Sequence, residues 1–320
     1  MTFRIIDLDQ IQSTLPSIGI IPLIEAGFVA YSDGLAVVPA VGELSFIDPP
    51  GDVHIKYGYI AGDRYYVIKI ASGFYNNPSL GLPVSTGLML VFEQNTGQPA
   101  CILLDGGHLT RVRTGAAGAI AAKYFAPRDV HRIGVVGMGN QARMQLTHLK
   151  DVVDCRDVIA WGLPSDDAAA YRQDMEGEGF SVQTTTELPD VVSSCNLIVT
   201  VTPSKVPLVR FEDVQPGTHI TAVGADTPEK QELDSRVLGK ADIVVADSIS
   251  QCQERGEISH ALREGIISVG DIVELGDVIA GRAPRRTAEE QTTVVDLTGV
   301  AVQDIQIAKA VYEAVDQASK

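Results

Sequence analysis

Four places in this chain combine residue types and spacings that could do chemistry. Lys69 lies in the apolar run Tyr65-Tyr-Val-Ile-Lys-Ile70. An ammonium buried there is costly unless it meets an anion, such as a substrate carboxylate; the other setting is a half-exposed strand face. Arg113 follows a strand and opens a helix of small residues, and a guanidinium can grip a carboxylate through two hydrogen bonds. Asp226 follows the apolar run 219–224, where a carboxylate could take a proton from an amine and return it, or cap a helix ahead of Pro228. The fourth place is Ile133-Gly-Val-Val136 running into Gly137-x-Gly139-x-x-Ala142, the pattern of a dinucleotide-binding turn. Gly137 permits the tight turn, Gly139 lets the backbone approach a pyrophosphate, and Ala142 lets the helix pack closely on the strand. The first N–H groups of that helix would face the phosphates, where the helix dipole favours negative charge.

The elements that must position these residues fall into two styles. From residue 131 onward, strand-like runs at 133–136, 157–161, 181–185, 197–202, 219–224 and 242–247 alternate with helical runs such as 141–149 and 165–176, the latter with Ser165 as its N-cap. Such alternation predicts an α/β, Rossmann-type doubly wound parallel sheet. A last strand-like piece spans 292–297, and 300–318 reads as a closing amphipathic helix. Before residue 115 the pattern is α+β: helices over 10–32 interrupted at Pro16, and strands at 65–70, 87–92 and 99–104. The last two strands are joined through Asn95-Thr-Gly97 as a hairpin. A helix of small residues over 116–124 marks the boundary. The expected division is therefore 1–115 with 300–320, and 116–299.

With 320 residues and 45% hydrophobic content, the chain can bury two large cores. A net charge of −16 repels phosphate backbones, so nucleic acid and anionic membranes are poor partners. The apolar stretch 18–24 stops at Glu25 and is too short to span a bilayer. Residues 1–15 lack a basic segment followed by a long apolar run, so no secretory leader is expected and a cytoplasmic location follows. Cys101, Cys155, Cys195 and Cys252 form no C-x-x-C pair and read as free thiols in a reducing compartment. The six histidines show no metal-ligand spacing, and no structural metal is expected.

Several segments together resemble the ornithine cyclodeaminase/μ-crystallin family over nearly the whole chain. They are Val67-Ile-Lys-Ile70 followed by Asn77-Pro, Gly81-Leu-Pro83, Thr96-Gly-x-Pro99, Leu109-Thr-x-x-Arg-Thr-Gly-Ala-Ala117, Val135-Val-Gly-x-Gly-x-Gln-Ala142, Thr200-x-Thr-Pro-Ser204, Pro216-Gly-Thr-His-Ile220, Val223-Gly-Ala-Asp226 and Gly299-Val-Ala-Val-Gln-Asp304. The resemblance implies a Rossmann domain with a nicotinamide cofactor, and a separate substrate-binding and dimerisation domain that makes a homodimer. Its catalytic lysine falls on Lys69 and its proton-transfer aspartate on Asp226. Its Leu-Thr-x-x-Arg-Thr spacing selects Arg113 as the carboxylate-binding arginine, leaving Arg111 solvated. Asp304 also matches a family motif, as a ligand contact or as a cap of the last helix. Expected cofactor contacts are Gly137, Gly139, Asn140, Gln141 and Ala142 at the phosphates. Thr114, Thr202, Ser204 and Val223 are expected elsewhere along the dinucleotide. Leu163 occupies the place after the second strand where many relatives carry an arginine for a 2′-phosphate, so NAD(H) is favoured, with NADP(H) as the alternative.

Two departures bear on the substrate. Val41 stands where relatives that bind amino-acid carboxylates usually carry an arginine, and Lys56 stands where the cyclodeaminases carry a glutamate. Lys56, together with His54, would restore the missing positive charge and favour a second acidic group on the substrate over a second amine. The expected activity is hydride transfer to or from the α-carbon of a small amino or imino acid, as an imine reductase or amino-acid dehydrogenase. The alternatives are a cyclodeaminase-type lyase with catalytic NAD and a dinucleotide-binding protein without turnover.

Overall fold

The computed structural model describes residues 3–164 and 167–318, and the chain in it divides into two compact units, Met1–Arg113 with Val300–Lys320, and Thr114–Gly299. Ser165, the expected N-cap, lies outside the described residues.

The elements of the first unit begin with β1 (Arg4–Ile6), α1 (Leu8–Thr14) and α2 (Ile20–Ser32). They continue through β2 (Ala36–Val37), β3 (Gly42–Phe46), β4 (Gly51–Ile60), β5 (Tyr65–Phe74), β6 (Ser85–Glu93) and β7 (Pro99–Leu103). Asp7 opens α1 with a reciprocal capping box to Gln10, and Leu15-Pro-Ser forms a short 3-10 turn before α2. The strands form one sheet in the order β1-β7-β6-β5-β4-β2, with β3 also on β4. Every pairing is antiparallel except β1 with β7. The hairpin between β6 and β7 turns at Gly97, as its sequence predicts. The helix α3 (His108–Phe125) is longer than the small-residue run and begins well before it; the buried Asp105 accepts Leu109 N–H at its start. Residues 108–113 of α3 belong to the first unit and 114–125 to the second.

The second unit supplies β8 (Ile133–Val136), α4 (Asn140–Leu149), β9 (Asp157–Trp161), α5 (Ala168–Gly177), β10 (Ser181–Thr185), α6 (Leu188–Ser194), β11 (Leu197–Thr200) and β12 (His219–Ala222). There follow α7 (Ser235–Lys240), β13 (Ile243–Ala246), α8 (Ile249–Cys252), α9 (Gly256–Arg263), β14 (Ile272–Glu274), α10 (Leu275–Ile279) and β15 (Thr293–Asp296). Its strands are all parallel, in the order β10-β9-β8-β11-β12-β15-β13-β14. The chain works outward from β8 to β10, then returns to β11 on the other side of β8. Ligands of such sheets bind at this reversal, beyond the carboxyl ends of the strands. The four-residue strands β8, β11, β12, β13 and β15 are buried at every position, which is why they are mostly apolar, with the buried polar residues His219 and Asp296 among them. The helix α5 starts at Ala168 with Asp167 as its cap.

The last helix, α11 (Ala301–Ala318), returns to the first unit and packs across β4 and β5 and against α2. Its apolar stripe, Ala301, Ile305, Ala308 and Tyr312, is buried, and Tyr312 meets Tyr65 edge to face with centroids 5.4 Å apart. Among the described residues no single helix is long and apolar enough to cross a membrane.

Candidate active site

In the first unit, β5 and α11 bring opposite charges together. Lys69 is 3% exposed, and its Nζ lies 3.2 Å from Asp304 Oδ2. The half-exposed setting is thereby ruled out. Arg113 is equally buried: Nε donates to Asp304 Oδ1 at 3.0 Å and Nη1 donates to Gln303 Oε1 at 3.0 Å. Arg113 sits inside α3 rather than opening a helix. Asp304 lies in the first turn of α11 and is fully enclosed. Burial alone would raise its carboxyl, but Arg113, Lys69 and Lys56 together outweigh that and hold it below the usual carboxylate range.

Lys56 is part of this cluster. It is 8% exposed and stands directly opposite Lys69 in the β4–β5 ladder. Like charges placed opposite one another repel, so the pair needs a shared anion. Val41 stands one residue beyond the Gly42–Ile55 pair, on the side of Lys56. His54, two residues along β4, lies between carboxylates, with Nδ1 3.6 Å from Glu43 Oε1 and Nε2 3.5 Å from Asp52 Oδ1. The charges that bear on Asp304 are foremost those of Arg113, Lys69 and Lys56; His54, expected to act with Lys56, lies by Glu43 and Asp52 instead. Arg111 is half-buried rather than solvated; burial pulls its pKa down and Asp105 opposes that.

In the second unit, Gly137 adopts φ 116°, a conformation that L side chains rarely take, and its N–H donates to Trp161 O at 2.8 Å. Gly139 caps α4 with extended backbone, and no side chain caps that helix. A Cβ on Gly139 would meet nothing within 4 Å. Ala142 is fully buried against the strand side. Asn140 is exposed, and Gln141 Nε2 is buried with no hydrogen-bond partner among the described residues. Open space in front of uncapped backbone N–H groups, with an amide donor beside it, fits a pyrophosphate. Leu163 is exposed just past β9. Thr114 accepts Gln145 Nε2 through its carbonyl, and Val223 N–H donates to Thr200 O at 3.0 Å. The hydroxyls of Thr202 and Ser204 are engaged locally, with Glu232 Oε1 at 2.7 Å and Val206 O at 2.7 Å. Asp226 is partly exposed; its Oδ1 accepts Lys230 Nζ at 2.6 Å, and it caps no helix. Among the described residues no group of three His, Cys, Asp or Glu side chains could hold a metal.

A model of the ornithine cyclodeaminase/mu-crystallin family matches residues 5–319. The chain belongs to this family. An archaeal alanine dehydrogenase, a dimer with bound NAD, is 35% identical with a TM-score of 0.89, covering 99% of this chain and 97% of that one. The Δ1-pyrroline-2-carboxylate reductase of Thermococcus litoralis, in complex with NADH and L-proline, is 25% identical with a TM-score of 0.91, covering 98% of each chain. The iminosuccinate reductase of Paracoccus denitrificans, in complex with NAD+, is 30% identical with a TM-score of 0.88, covering 98% of this chain and 97% of that one. Sequence reading left open whether Asp304 touches ligand or caps its helix, and its ion-pair partners stayed hidden because Arg113 is 191 residues away. It missed Glu232 altogether, for want of any motif around a buried glutamate.

Asp304→Asn keeps the shape of the side chain and removes its charge. Breaking a buried ion pair from one side costs about 3–5 kcal/mol, and urea unfolding at neutral pH should read a loss of that order. The depressed pKa makes Asp304 stabilising above the ordinary carboxylate range, an effect lost as pH falls through its lower folded value. The gap between parent and variant should therefore narrow in acid. Equal stability of the two at neutral pH would remove Asp304 as the counter-charge.

Proposed function

We propose that the chain is an NAD-dependent oxidoreductase acting at the α-carbon of an amino or imino acid. The observation that carries this is the meeting of buried Lys56, Lys69 and Arg113 around Asp304. Three basic side chains gathered in one buried place suit an anionic ligand, and an amino-acid carboxylate is one. Lys69 and Arg113 would fix that carboxylate, which sets the orientation of the α-carbon. Asp226 would hold and return the amine proton, with Lys230 keeping the carboxylate oriented. The α4 N-terminus and the ends of β11 and β12 would hold the dinucleotide, whose nicotinamide exchanges hydride with the substrate. The names of the relatives, a dehydrogenase and two imine reductases, support the same reaction class. A cyclodeaminase reading is disfavoured by Lys56, an ammonium where a second substrate amine would have to sit.

A homodimer is part of this reading. Tyr57 and Tyr59 point away from the Lys56 face of β4 and are exposed, as are Leu44 and Phe46 on β3. Apolar side chains on a sheet of the first unit suit a second copy, and the archaeal relative is a dimer. No disulfide joins the cysteines, which suits a cytoplasmic location.

The test is an assay of NADH oxidation against 2-oxo acids with amines and against preformed cyclic imines. Stoichiometric consumption supports a reductase, catalytic use of NAD with ammonia release supports the lyase, and absence of any turnover leaves a binding protein. In that assay Lys56→Ala should raise KM for a dicarboxylic substrate far more than for alanine or proline analogues. Unchanged activity on every substrate, or ornithine as the best one, removes Lys56 from the site.

Leu163 offers no charge to a 2′-phosphate, so NADH should bind more tightly than NADPH in a calorimetric titration. Leu163→Arg should move the ratio toward NADPH. A clear preference of the parent for NADPH contradicts this.

A further inference from the structure

Glu232 is completely buried in the loop between β12 and α7. Four donors converge on its carboxylate. Oε1 accepts Thr202 N at 2.5 Å and Thr202 Oγ1 at 2.7 Å; Oε2 accepts Thr200 Oγ1 at 2.7 Å and Gly224 N at 2.8 Å. The ladder between β11 and β12 ends at the Thr200–Ala222 pair. Just beyond it, the carboxylate does what the ladder no longer does: it ties the two strand ends together. The approach is so close that a Cβ on Gly224 would strike Thr202 O at 2.1 Å and Glu232 Oε2 at 2.6 Å. The two tied segments carry Thr202, Ser204 and Val223, and Asp226 follows two residues after Gly224.

The glutamate is itself anchored. Glu232 N and Leu233 N donate to the two carboxylate oxygens of Glu257 on α9, and Leu208 N and Val209 N donate to Glu232 O. Gln231 N donates to Ser204 O at 2.8 Å, which holds the 204–209 loop to the same segment. A carboxylate can accept all four donors, whereas an amide would turn an NH2 group toward two of them. Burial raises the Glu232 carboxyl to about 7, against the pull of those four hydrogen bonds. The charged groups facing it are Glu257 from α9 and Asp296 from β15, both pushed up themselves, by burial first.

We propose that Glu232 is a positioning residue for the coenzyme: its ionised carboxylate sets the spacing of the 200–204 and 223–226 segments and thereby the grip on the nicotinamide end of the dinucleotide. This rests on the dinucleotide-binding reading given above. The carboxylate is ionised above its pKa, so affinity for NADH increases as pH rises through neutrality. ADP-ribose, which reaches the glycine-rich turn but has no nicotinamide, should not follow that profile.

The experiment titrates NADH and ADP-ribose into the full chain between about pH 6 and pH 8.5, a range spanning the Glu232 ionisation. Glu232→Gln should weaken NADH binding on the order of tenfold or more and flatten its pH profile, since a hydrogen bond to a charged group is worth at least that factor. ADP-ribose affinity should be unchanged. Thr200→Val, nearly isosteric, removes one donor to the carboxylate and should move the NADH midpoint to higher pH. Loss of both ligands to the same extent in Glu232→Gln, or an unmoved midpoint in Thr200→Val, overturns the positioning role. NADH binding in both variants identical to the parent overturns it too, while leaving the function reading intact. A parent that binds neither ligand removes both readings.

Discussion

A single carboxylate, Asp304, makes the cationic cluster of the first unit tenable. Two lysines face each other across adjacent strands, and a guanidinium lies on the same anion. Without a fixed negative charge among them, burial of these groups would be prohibitive. The anion comes from α11, which explains why the last helix is laid on the sheet formed by the first part of the chain. The apolar stripe of α11 provides the packing, and its first turn provides the charge. Asp304 thus joins the strand-borne lysines and the guanidinium of α3 through one buried anion.

The second unit arranges polarity in the opposite sense. Glu232, Glu257 and Asp296 are buried carboxyls with raised pKa values, and they are held mainly by backbone N–H groups and hydroxyls. Such groups serve as hydrogen-bond acceptors for loops that leave the sheet too early to be held by ladder bonds. The cost is that their ionised forms are disfavoured by burial, so their contribution to folding weakens as pH rises through their folded pKa values.

Much of this architecture was legible in the chain itself. The buried parallel strands stood out because most of their residues are apolar, and Gly137-x-Gly139-x-x-Ala142 stood out because its mechanism fixes both residue type and spacing. Strand ends were read too long, at Thr202 and Gly224, which lie beyond the ladder and are held by the Glu232 carboxylate instead. The strand β4 gave little signal, since Gly51, Asp52 and Gly58 are poor strand formers and its pairing with β2, β3 and β5 defines it. Lys69, Arg113 and Lys56 were visible as candidates from residue type and resemblance. Their meeting at Asp304 was not, because nothing local in a sequence marks contacts between residues so far apart. Arg111 was misread for a different reason: it lies close to Asp105 and Gly107 in the turn at the start of α3, which residue type alone does not show.

The place of β15 in the sheet has a consequence for how the molecule is made. This strand lies between β12 and β13, although both of those precede it in the chain by dozens of residues. During synthesis β12 and β13 emerge with no partner between them, and each keeps an unpaired edge until residues 293–296 arrive. The first unit waits for residues still later, those of α11. Assembly of the nascent polypeptide is thus deferred until residues 293–318 have been made, and a ribosome stalled before them would hold a chain with open sheet edges exposed to aggregation and to chaperones.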